Sequence, residues 1–253
     1  MKWIRKKTLE RKVLGGVFLN LGSTLTAEIA GNAGLDWVLL DMEHGPGDHQ
    51  VLLAQLQAIE STPAVALVRI AWNELPRFKR TLDLGPSGIM IPWINGPDGA
   101  RQAVTSMRYP PQGTRGVAGS PRAAGFSRNF KQYFQEANEN LLTVVQIETQ
   151  EAISNIDAIA AVEGVDVLFI GPLDLSVSLG IVGEFEHPDF RSALQKVAAA
   201  AQKAGKAAGI LLRGPADLER AVSDGFTFLG IGSDGGLIAQ GMPRLADAFD
   251  QYR

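Results

Sequence analysis

Short runs of apolar, often β-branched residues recur along the chain, each followed by a polar or glycine-containing break and a longer amphipathic segment. The apolar runs lie at residues 14–20, 36–42, 64–70, 88–94, 142–148, 165–171, 207–213 and 226–232. Amphipathic segments follow them, among them 48–61, 73–84, 97–107, 151–162, 189–204, 215–223 and 236–251. Near-continuous apolar strands that alternate with helices are typical of parallel strands buried on both faces. The pattern therefore predicts a series of strand–helix units.

Eight such units in a chain of 253 residues favour closure into a (β/α)8 TIM barrel, with residues 1–253 as a single domain. An apolar content of 45% and a charged content of 20% are ordinary for a globular protein with a sizeable core. In barrels of this type the chemistry lies at the carboxyl ends of the strands. We therefore look for functional residues there.

Composition excludes several classes of function. The chain has no cysteine, which rules out disulfides, thiolate nucleophiles and cysteine-ligated metals. A net charge of -3 disfavours nucleic-acid binding. Charged residues interrupt the N-terminal MKWIRKKTLERK before an apolar signal segment develops, and no apolar run approaches the roughly 18 residues of a membrane span. We expect a cytoplasmic protein with no nucleic-acid or membrane partner.

One connection differs from the others. Residues 108–128 contain three prolines and four arginines, many glycines and no helical or strand period. A long ordered loop of this kind is more often functional than accidental.

Polar residues cluster at the predicted carboxyl ends of the strands. They are Asn20, Asp41, Glu43, His44, Arg69, Gln146, Glu148, Asp174, Arg213, Ser233 and Asp234. Glu148 alone fits a charge at a helix N-terminus, and Asp174 alone fits a helix cap. On consecutive strands of one barrel, the two carboxylates instead predict a site for a hard divalent cation with positions left for water and substrate.

His44 and Arg69 are the other candidates for chemistry. His44 is one of three histidines and follows a strand beside two carboxylates, so it is either a bystander or an acid/base residue. Arg69 ends an apolar run, where a buried guanidinium needs an anionic partner. That partner is either a structural carboxylate or the carboxylate or enolate oxygen of a substrate.

The glycines 230, 232 and 235 form a GxGxxG pattern, but the chain ends before the βαβ unit that a dinucleotide site requires. No organic cofactor is expected. The lysines lie in the N-terminal segment, on predicted helices or at the start of the seventh strand, so a Schiff base is disfavoured and a metal would have to polarise a carbonyl substrate. Without cysteine, oxygen ligation of Mg2+, Mn2+ or Co2+ is favoured over a zinc site.

Several motifs together resemble the class II pyruvate aldolases of the 4-hydroxy-2-oxoheptanedioate aldolase and 2-dehydro-3-deoxyglucarate aldolase family. They are LLDMEHGP (39–46), ALVRI (66–70), IMIPWI (89–94), RYPPQGTRGVAG (108–119), VVQIET (144–149) and FIGPLDLS (169–176). The motifs occur in order from about residue 14 to about residue 235, so the resemblance spans most of the chain. It implies reversible aldol cleavage between the enolate of pyruvate or hydroxypyruvate and an aldehyde.

The resemblance also implies roles for individual residues. Glu148 and Asp174 would hold one divalent metal ion, His44 would be the acid/base residue, and Arg69 would stabilise the enolate. Gln146 and the backbone at Leu173 would line the pyruvyl site. Asp83 matches a family carboxylate that raises the basicity of the histidine, while Asp41 is nearer to His44 in sequence. Both residues are therefore candidate partners of His44.

The family further suggests a homo-hexamer, a dimer of trimers with exchanged C-terminal helices, in which Arg122 would reach a neighbouring site. Ser233 is a further candidate for substrate binding, at the end of the last strand. Leu173 stands where the family commonly has a small residue, and Trp93 adds bulk after the fourth strand, so these two residues put the aldehyde preference in question.

Two other functions stay open at this point. One is a carbon–carbon lyase like citrate lyase or malate synthase, which shares two carboxylates and an arginine but uses an acyl-CoA. The other is a catalytically silent barrel that binds a metal and an oxo acid.

Overall fold

Eight parallel strands form a closed barrel in which each strand pairs with the next and the last pairs with the first. The computed structural model describes residues 2–253, except the side chain of Gln251. The strands are β1 (Leu14–Leu19), β2 (Trp37–Asp41), β3 (Val65–Arg69), β4 (Gly88–Ile91), β5 (Leu142–Ile147), β6 (Val167–Ile170), β7 (Ala207–Leu212) and β8 (Phe228–Ser233). All eight predicted runs are strands, and the predicted (β/α)8 barrel is confirmed.

Helices surround the barrel. They are α1 (Arg5–Leu9), α2 (Thr24–Gly31), α3 (His49–Glu60), α4 (Leu75–Leu82), α5 (Pro97–Met107), α6 (Phe130–Asn140), α7 (Gln150–Ser154), α8 (Ile156–Ala160), α9 (Pro172–Ser178), α10 (Pro188–Lys203), α11 (Leu218–Ser223) and α12 (Asp234–Asp247). Within residues 2–253, no helix combines the length and the apolar character needed to cross a bilayer.

Two predicted elements differ from the structure in detail. The segment 151–162 is divided into α7 and α8 at Asn155, whose side-chain amide donates to the carbonyl of Asn95 at 2.8 Å. The predicted strand 88–94 ends at Ile91, because Trp93 adopts a φ of 57°, which no strand residue has. Both changes occur at the face of the barrel that carries the candidate site.

Side chains alternate between the two sides of each strand, so one set fills the barrel interior and the other packs beneath the helices. The interior is aromatic, with Trp37 stacked on Phe228 at 4.6 Å between ring centroids. Gly16 is required here, because a Cβ at this position would lie 2.1 Å from the Trp37 ring. The interior is therefore a packed core, and the open end above it is where the strand-end polar residues gather.

Arg115 anchors the long loop 108–128. Its side chain is fully buried and donates to Asp83 Oδ1 at 3.1 Å and to the Tyr133 hydroxyl at 3.0 Å. Its guanidinium also lies 4.4 Å from the centroid of the Tyr109 ring, close enough for a cation–π contact. The aperiodic loop is therefore held by a buried cation.

Candidate active site

Asp41 on β2 and Arg69 on β3 are direct neighbours in the sheet, and their side chains form a bidentate salt bridge. Arg69 Nε donates to Asp41 Oδ1 at 3.0 Å and Arg69 Nη2 to Asp41 Oδ2 at 2.6 Å. A third nitrogen, Nη1, lies 3.1 Å from Glu43 Oε2. The guanidinium is thus held by two hydrogen bonds to Asp41 and by an ion pair with Glu43.

Burial disfavours the charged form of Asp41, but the hydrogen bonds and charge of Arg69 outweigh it and hold the pKa of Asp41 below its usual value. The backbone N–H groups of Glu43 and His44 donate to Asp41 Oδ1 at 3.0 and 3.2 Å and act in the same direction. Asp41 therefore orders the strand-to-loop turn that carries Glu43 and His44.

His44 lies at the solvent side of this cluster, with 68% of its side chain exposed. Its Nε2 is 3.8 Å from Glu43 Oε2, which makes Glu43 the carboxylate that faces the imidazole. Burial raises the pKa of Glu43, and Arg69 opposes that rise. From the sequence, Glu43 is only one of several polar residues at strand ends, and the structure shows that it lies between Arg69 and His44.

Glu148 is almost completely buried at the end of β5, on the same side of the strand as Gln146. Its Oε1 accepts from the backbone N–H of Trp93 at 2.7 Å, and its Oε2 accepts from Gln146 Nε2 at 3.1 Å. Burial raises the pKa of Glu148 to about 7, and the charges of Asp174 and Glu43 push in the same direction. A carboxylate in this position favours the approach of a positive charge.

Asp174 lies in the first turn of α9, after β6, and is exposed at the mouth of the barrel. Its charge raises the pKa of both Glu148 and Glu43. The predicted pair thus lies at adjacent strand ends and is electrostatically coupled. Next to Asp174, Leu173 is 58% exposed and its carbonyl accepts from Ser176 Oγ at 2.7 Å.

Gly171, which ends the turn from β6 to α9, was not identified from the sequence. A Cβ on Gly171 would lie 2.5 Å from Glu148 Oε2 and 3.4 Å from Gln146 Nε2. Real Cβ atoms do not approach so closely, so glycine allows the turn that carries Asp174 to pass directly over the Glu148 carboxylate. The dipeptide Gly-Pro at 171–172 was a visible signal of a tight turn, but not of this contact.

Two predicted residues lie at the opposite end of the barrel within the same chain. Asp83 follows the last residue of α4 and pairs with Arg115. Arg122 donates to the Leu84 carbonyl at 2.7 Å and pairs with Glu60 at the end of α3. Helices run antiparallel to the strands, so the ends of α3 and α4 are at the amino-terminal face. The chain does not bring Asp83 or Arg122 to its own His44.

Ser233 caps α12, since its Oγ accepts from the backbone N–H of Gly236 at 3.1 Å. Trp93 lies after β4 and is 42% exposed, and its backbone N–H donates to Glu148. Ser233 and Trp93 are both at the carboxyl-terminal face, as expected from the sequence.

The donor set agrees with a hard cation. Asp41, Glu43 and Glu148 all act on the charge of Arg69, and Asp174 acts on Glu148 and Glu43, so negative charge is in excess in this cluster. Gln146 Oε1 is buried with no hydrogen-bond partner beside Glu148, and such an atom is stabilised by a ligand or an ion. Among the described residues, no group of three His, Cys, Asp or Glu side chains is arranged to hold a metal. A cation here would therefore have two carboxylates and otherwise water or substrate.

The sequence was compared with known protein families, and residues 14–241 match the HpcH/HpaI aldolase/citrate lyase family. The chain belongs to this family. A 5-keto-4-deoxy-D-glucarate aldolase of Salmonella arizonae is 42% identical over 234 residues, which are 92% of this chain and 91% of that protein. Relatives with the same name at 41% identity occur in Escherichia coli and Shigella.

Solved structures agree with this assignment. A HpcH/HpaI aldolase/citrate lyase family protein from Burkholderia cenocepacia J2315 superposes with a TM-score of 0.93 at 36% identity, covering 97% of this chain and 98% of that one. The HpcH/HpaI aldolase from Desulfitobacterium hafniense DCB-2 superposes with a TM-score of 0.91 at 31% identity, covering 98% and 97%. The resemblance inferred from the motifs is confirmed, and the chain is a carbon–carbon lyase of the aldolase kind.

Proposed function

We propose that this enzyme catalyses metal-dependent, reversible aldol cleavage of a 4-hydroxy-2-oxo acid into pyruvate, or a similar 2-oxo acid, and an aldehyde. The observation that carries the proposal is the convergence of Glu148 and Asp174 with Arg69 and His44 at one barrel mouth. The substrate we propose first is 5-keto-4-deoxy-D-glucarate, because relatives at 41–42% identity carry that name.

Glu148 and Asp174 would hold one divalent cation, Mg2+, Mn2+ or Co2+, through hard carboxylate oxygens. Bound there, such an ion would polarise the carbonyl group of the 2-oxo acid. Gln146 supports this arrangement, since its amide orients Glu148 and leaves its own Oε1 for a ligand. The backbone at Leu173 would bound the pocket for the 2-oxo acid, next to Asp174.

Arg69 would stabilise negative charge on the enolate oxygen as it develops. The side chain is buried, and its ion pairs with Asp41 and Glu43 keep the guanidinium charged and oriented before substrate arrives. A preorganised cation in a site shielded from water is worth far more than the same cation in solvent. Asp41 and Glu43 would therefore act through the orientation of Arg69.

In the cleavage direction, His44 would take the proton of the 4-hydroxyl group as the bond between C3 and C4 breaks. The electron pair of that bond then becomes the enolate, and the hydroxyl carbon becomes the aldehyde. The exposure of His44 leaves room for a substrate hydroxyl beside the imidazole. Glu43, at 3.8 Å from Nε2, would orient the ring.

An assembly of several copies, a homo-hexamer with exchanged C-terminal helices, is part of the proposal. From Leu237 onward the residues of α12 are exposed, and Leu237, Met242 and Leu245 are each more than 60% exposed. An apolar face of this kind, extending away from its own barrel, is typical of a helix that packs on another copy. In such an assembly, Asp83 and Arg122 would act on a neighbouring site. A cytoplasmic location stays a prediction.

The metal assignment is tested with Glu148→Gln and Asp174→Asn, assayed for Mn2+ binding by calorimetry and for exchange of the pyruvate methyl protons with D2O by NMR. We expect both variants to lose Mn2+ affinity and to slow exchange by about 100-fold or more. Glu151→Gln, an exposed acid in α7 close to the same strand, is the matched control and should retain both.

Full exchange activity of Glu148→Gln after metal removal and readdition would contradict the metal assignment. If borohydride trapped a covalent pyruvate adduct, the mechanism would use a Schiff base instead of a metal ion. A strict requirement for a thioester substrate would favour the acyl-CoA lyase. Absence of exchange with every divalent metal would favour the silent barrel.

A further inference from the structure

Beneath the active site, the barrel interior contains four aromatic side chains that we call the aromatic floor, namely Phe18, Trp37, Phe169 and Phe228. The Phe18 ring lies 6.3 Å from Trp37 and 6.0 Å from Phe169, while Phe228 stacks on Trp37. All four side chains are at most 4% exposed. The floor therefore keeps water away from the underside of the site.

Phe18 is the member of the floor that meets the active site. The Arg69 guanidinium carbon lies over the Phe18 ring, 5.4 Å from its centroid. At the edge of the guanidinium, Nε and Nη2 of Arg69 donate to Asp41, while Nη1 forms an ion pair with Glu43. An aromatic ring attracts a cation electrostatically without competing for those hydrogen bonds. The Phe18 ring therefore contacts the face of the guanidinium, whereas Asp41 contacts its edge.

Gly230 leaves room for the Phe18 ring. A Cβ on Gly230, in the neighbouring strand β8, would lie 3.2 Å from Phe18 Cε2 and 3.2 Å from both Trp37 and Leu211. A larger residue at 230 would press on Phe18 and shift it under Arg69. The space for the ring is thus part of the packing of the barrel.

We propose that Phe18 is a positioning residue that sets the tilt of the Arg69 guanidinium toward the enolate oxygen. This inference rests on the proposed function, since it assumes that Arg69 stabilises the enolate. The two hydrogen bonds to Asp41 hold the Arg69 guanidinium along one edge, and the Phe18 face resists rotation out of that plane. Removing the ring leaves the ion pairs intact but frees the guanidinium to tilt.

The test compares Phe18→Leu with Phe18→Tyr and with Phe228→Leu. Leucine removes the aromatic face, whereas tyrosine keeps it. Phe228→Leu removes a ring from the same floor whose aromatic neighbours are Trp37 and Phe169, so it reports general damage to the core. For each variant, kcat and KM for metal-dependent pyruvate proton exchange, the Mn2+ affinity and a crystal structure are determined.

We expect Phe18→Leu to lower kcat by about tenfold with KM and Mn2+ affinity nearly unchanged, since a partly buried cation–π contact is of that size. Phe18→Tyr should restore most of kcat, and Phe228→Leu should lower stability more than kcat. The crystal structure of Phe18→Leu should show Arg69 rotated away from its original plane.

Equal losses of kcat in Phe18→Leu and Phe228→Leu would overturn the proposal, and so would an unchanged Arg69 plane in Phe18→Leu. The crystallographic comparison does not depend on activity. If the unmodified enzyme exchanged no pyruvate protons with any metal, the proposed function would fail, and the orientation of Arg69 would still decide whether Phe18 positions it.

Discussion

At the scale of single residues, the environment of Glu148 is what turns an ordinary carboxylate into a candidate ligand. The sequence predicts Glu148 at a strand end, but not that burial raises its pKa to about 7. That shift comes from burial of the carboxylate and from the charges of Asp174 and Glu43, while the N–H of Trp93 and the charge of Arg69 oppose it. These residues are distant in the chain or unremarkable in type, so their combined effect becomes visible only after folding.

Gly171→Ala is expected to lower metal affinity by about tenfold or more while the protein stays folded, because the new Cβ would displace Glu148 Oε2 from 2.5 Å away. Mn2+ titration by calorimetry measures the effect. Gly214→Ala is a matched control, since Gly214 also precedes a proline after a strand and has open space around its Cβ position. Equal Mn2+ affinities of the two variants would show that the contact with Glu148 is unimportant.

At the scale of elements, α12 is anchored to the barrel at its N-terminus and exposed to solvent from Leu237 onward. Ser233 caps its N-terminus, and Asp234 accepts from the backbone N–H of Asn20 at 2.8 Å and from Thr26 Oγ1 at 2.7 Å. From Leu237 to Asp247 the described side chains of the helix are exposed. The sequence predicts a helix over 236–251, but only the structure shows that its apolar side chains are exposed.

The paired change Met242→Asp and Leu245→Asp is expected to reduce the mass of the assembly in solution, because two charges would then lie on the apolar face of α12. Analytical ultracentrifugation at fixed protein concentration measures the mass. Gln240→Asp adds a charge to an exposed polar position of the same helix and should leave the mass unchanged. If the doubly charged variant kept the full mass, α12 would not be the contact between copies.

At the scale of the whole molecule, the stability of the barrel should depend on pH through Lys206, which precedes β7. Burial lowers the pKa of this amine from 10.5 to about 8, although it donates to the carbonyl of Val162. Below pH 8 both the folded and the unfolded states carry the proton, so the folded state bears the full cost of burying the charge. Between pH 8 and 10.5 the unfolded state binds more protons, and this contribution to the free energy of unfolding rises with pH.

We therefore expect Lys206→Met to be stabilising at pH 7 and this advantage over the unmodified chain to shrink as pH rises from 8 to 10.5. Denaturant unfolding at several pH values and constant protein concentration measures the difference. Lys203→Met, at an exposed lysine, should show little change with pH over the same range. An advantage of Lys206→Met that is constant with pH would contradict the buried-charge explanation.

Local patterns alone predicted the eight strands, most of the helices and the face that carries the chemistry. Apolar strand runs, helix periodicity and glycine or proline breaks depend on residues close in sequence, so they can be recognised without a structure. Asp41, Arg69 and Gln146 were likewise recognisable from the sequence as polar residues at the predicted carboxyl ends of strands.

Tertiary structure decided which groups meet across long stretches of chain. Asp83 pairs with Arg115 at the face opposite His44, although the resemblance offered Asp83 as a partner of that histidine. Arg122, which the resemblance assigned to a neighbouring site, pairs with Glu60 at the same face. Glu43 acquired its place between Arg69 and His44, and Gly171 its contact with Glu148, in the same way. Ion pairs, burial and close packing depend on distances in space, which the order of residues does not specify.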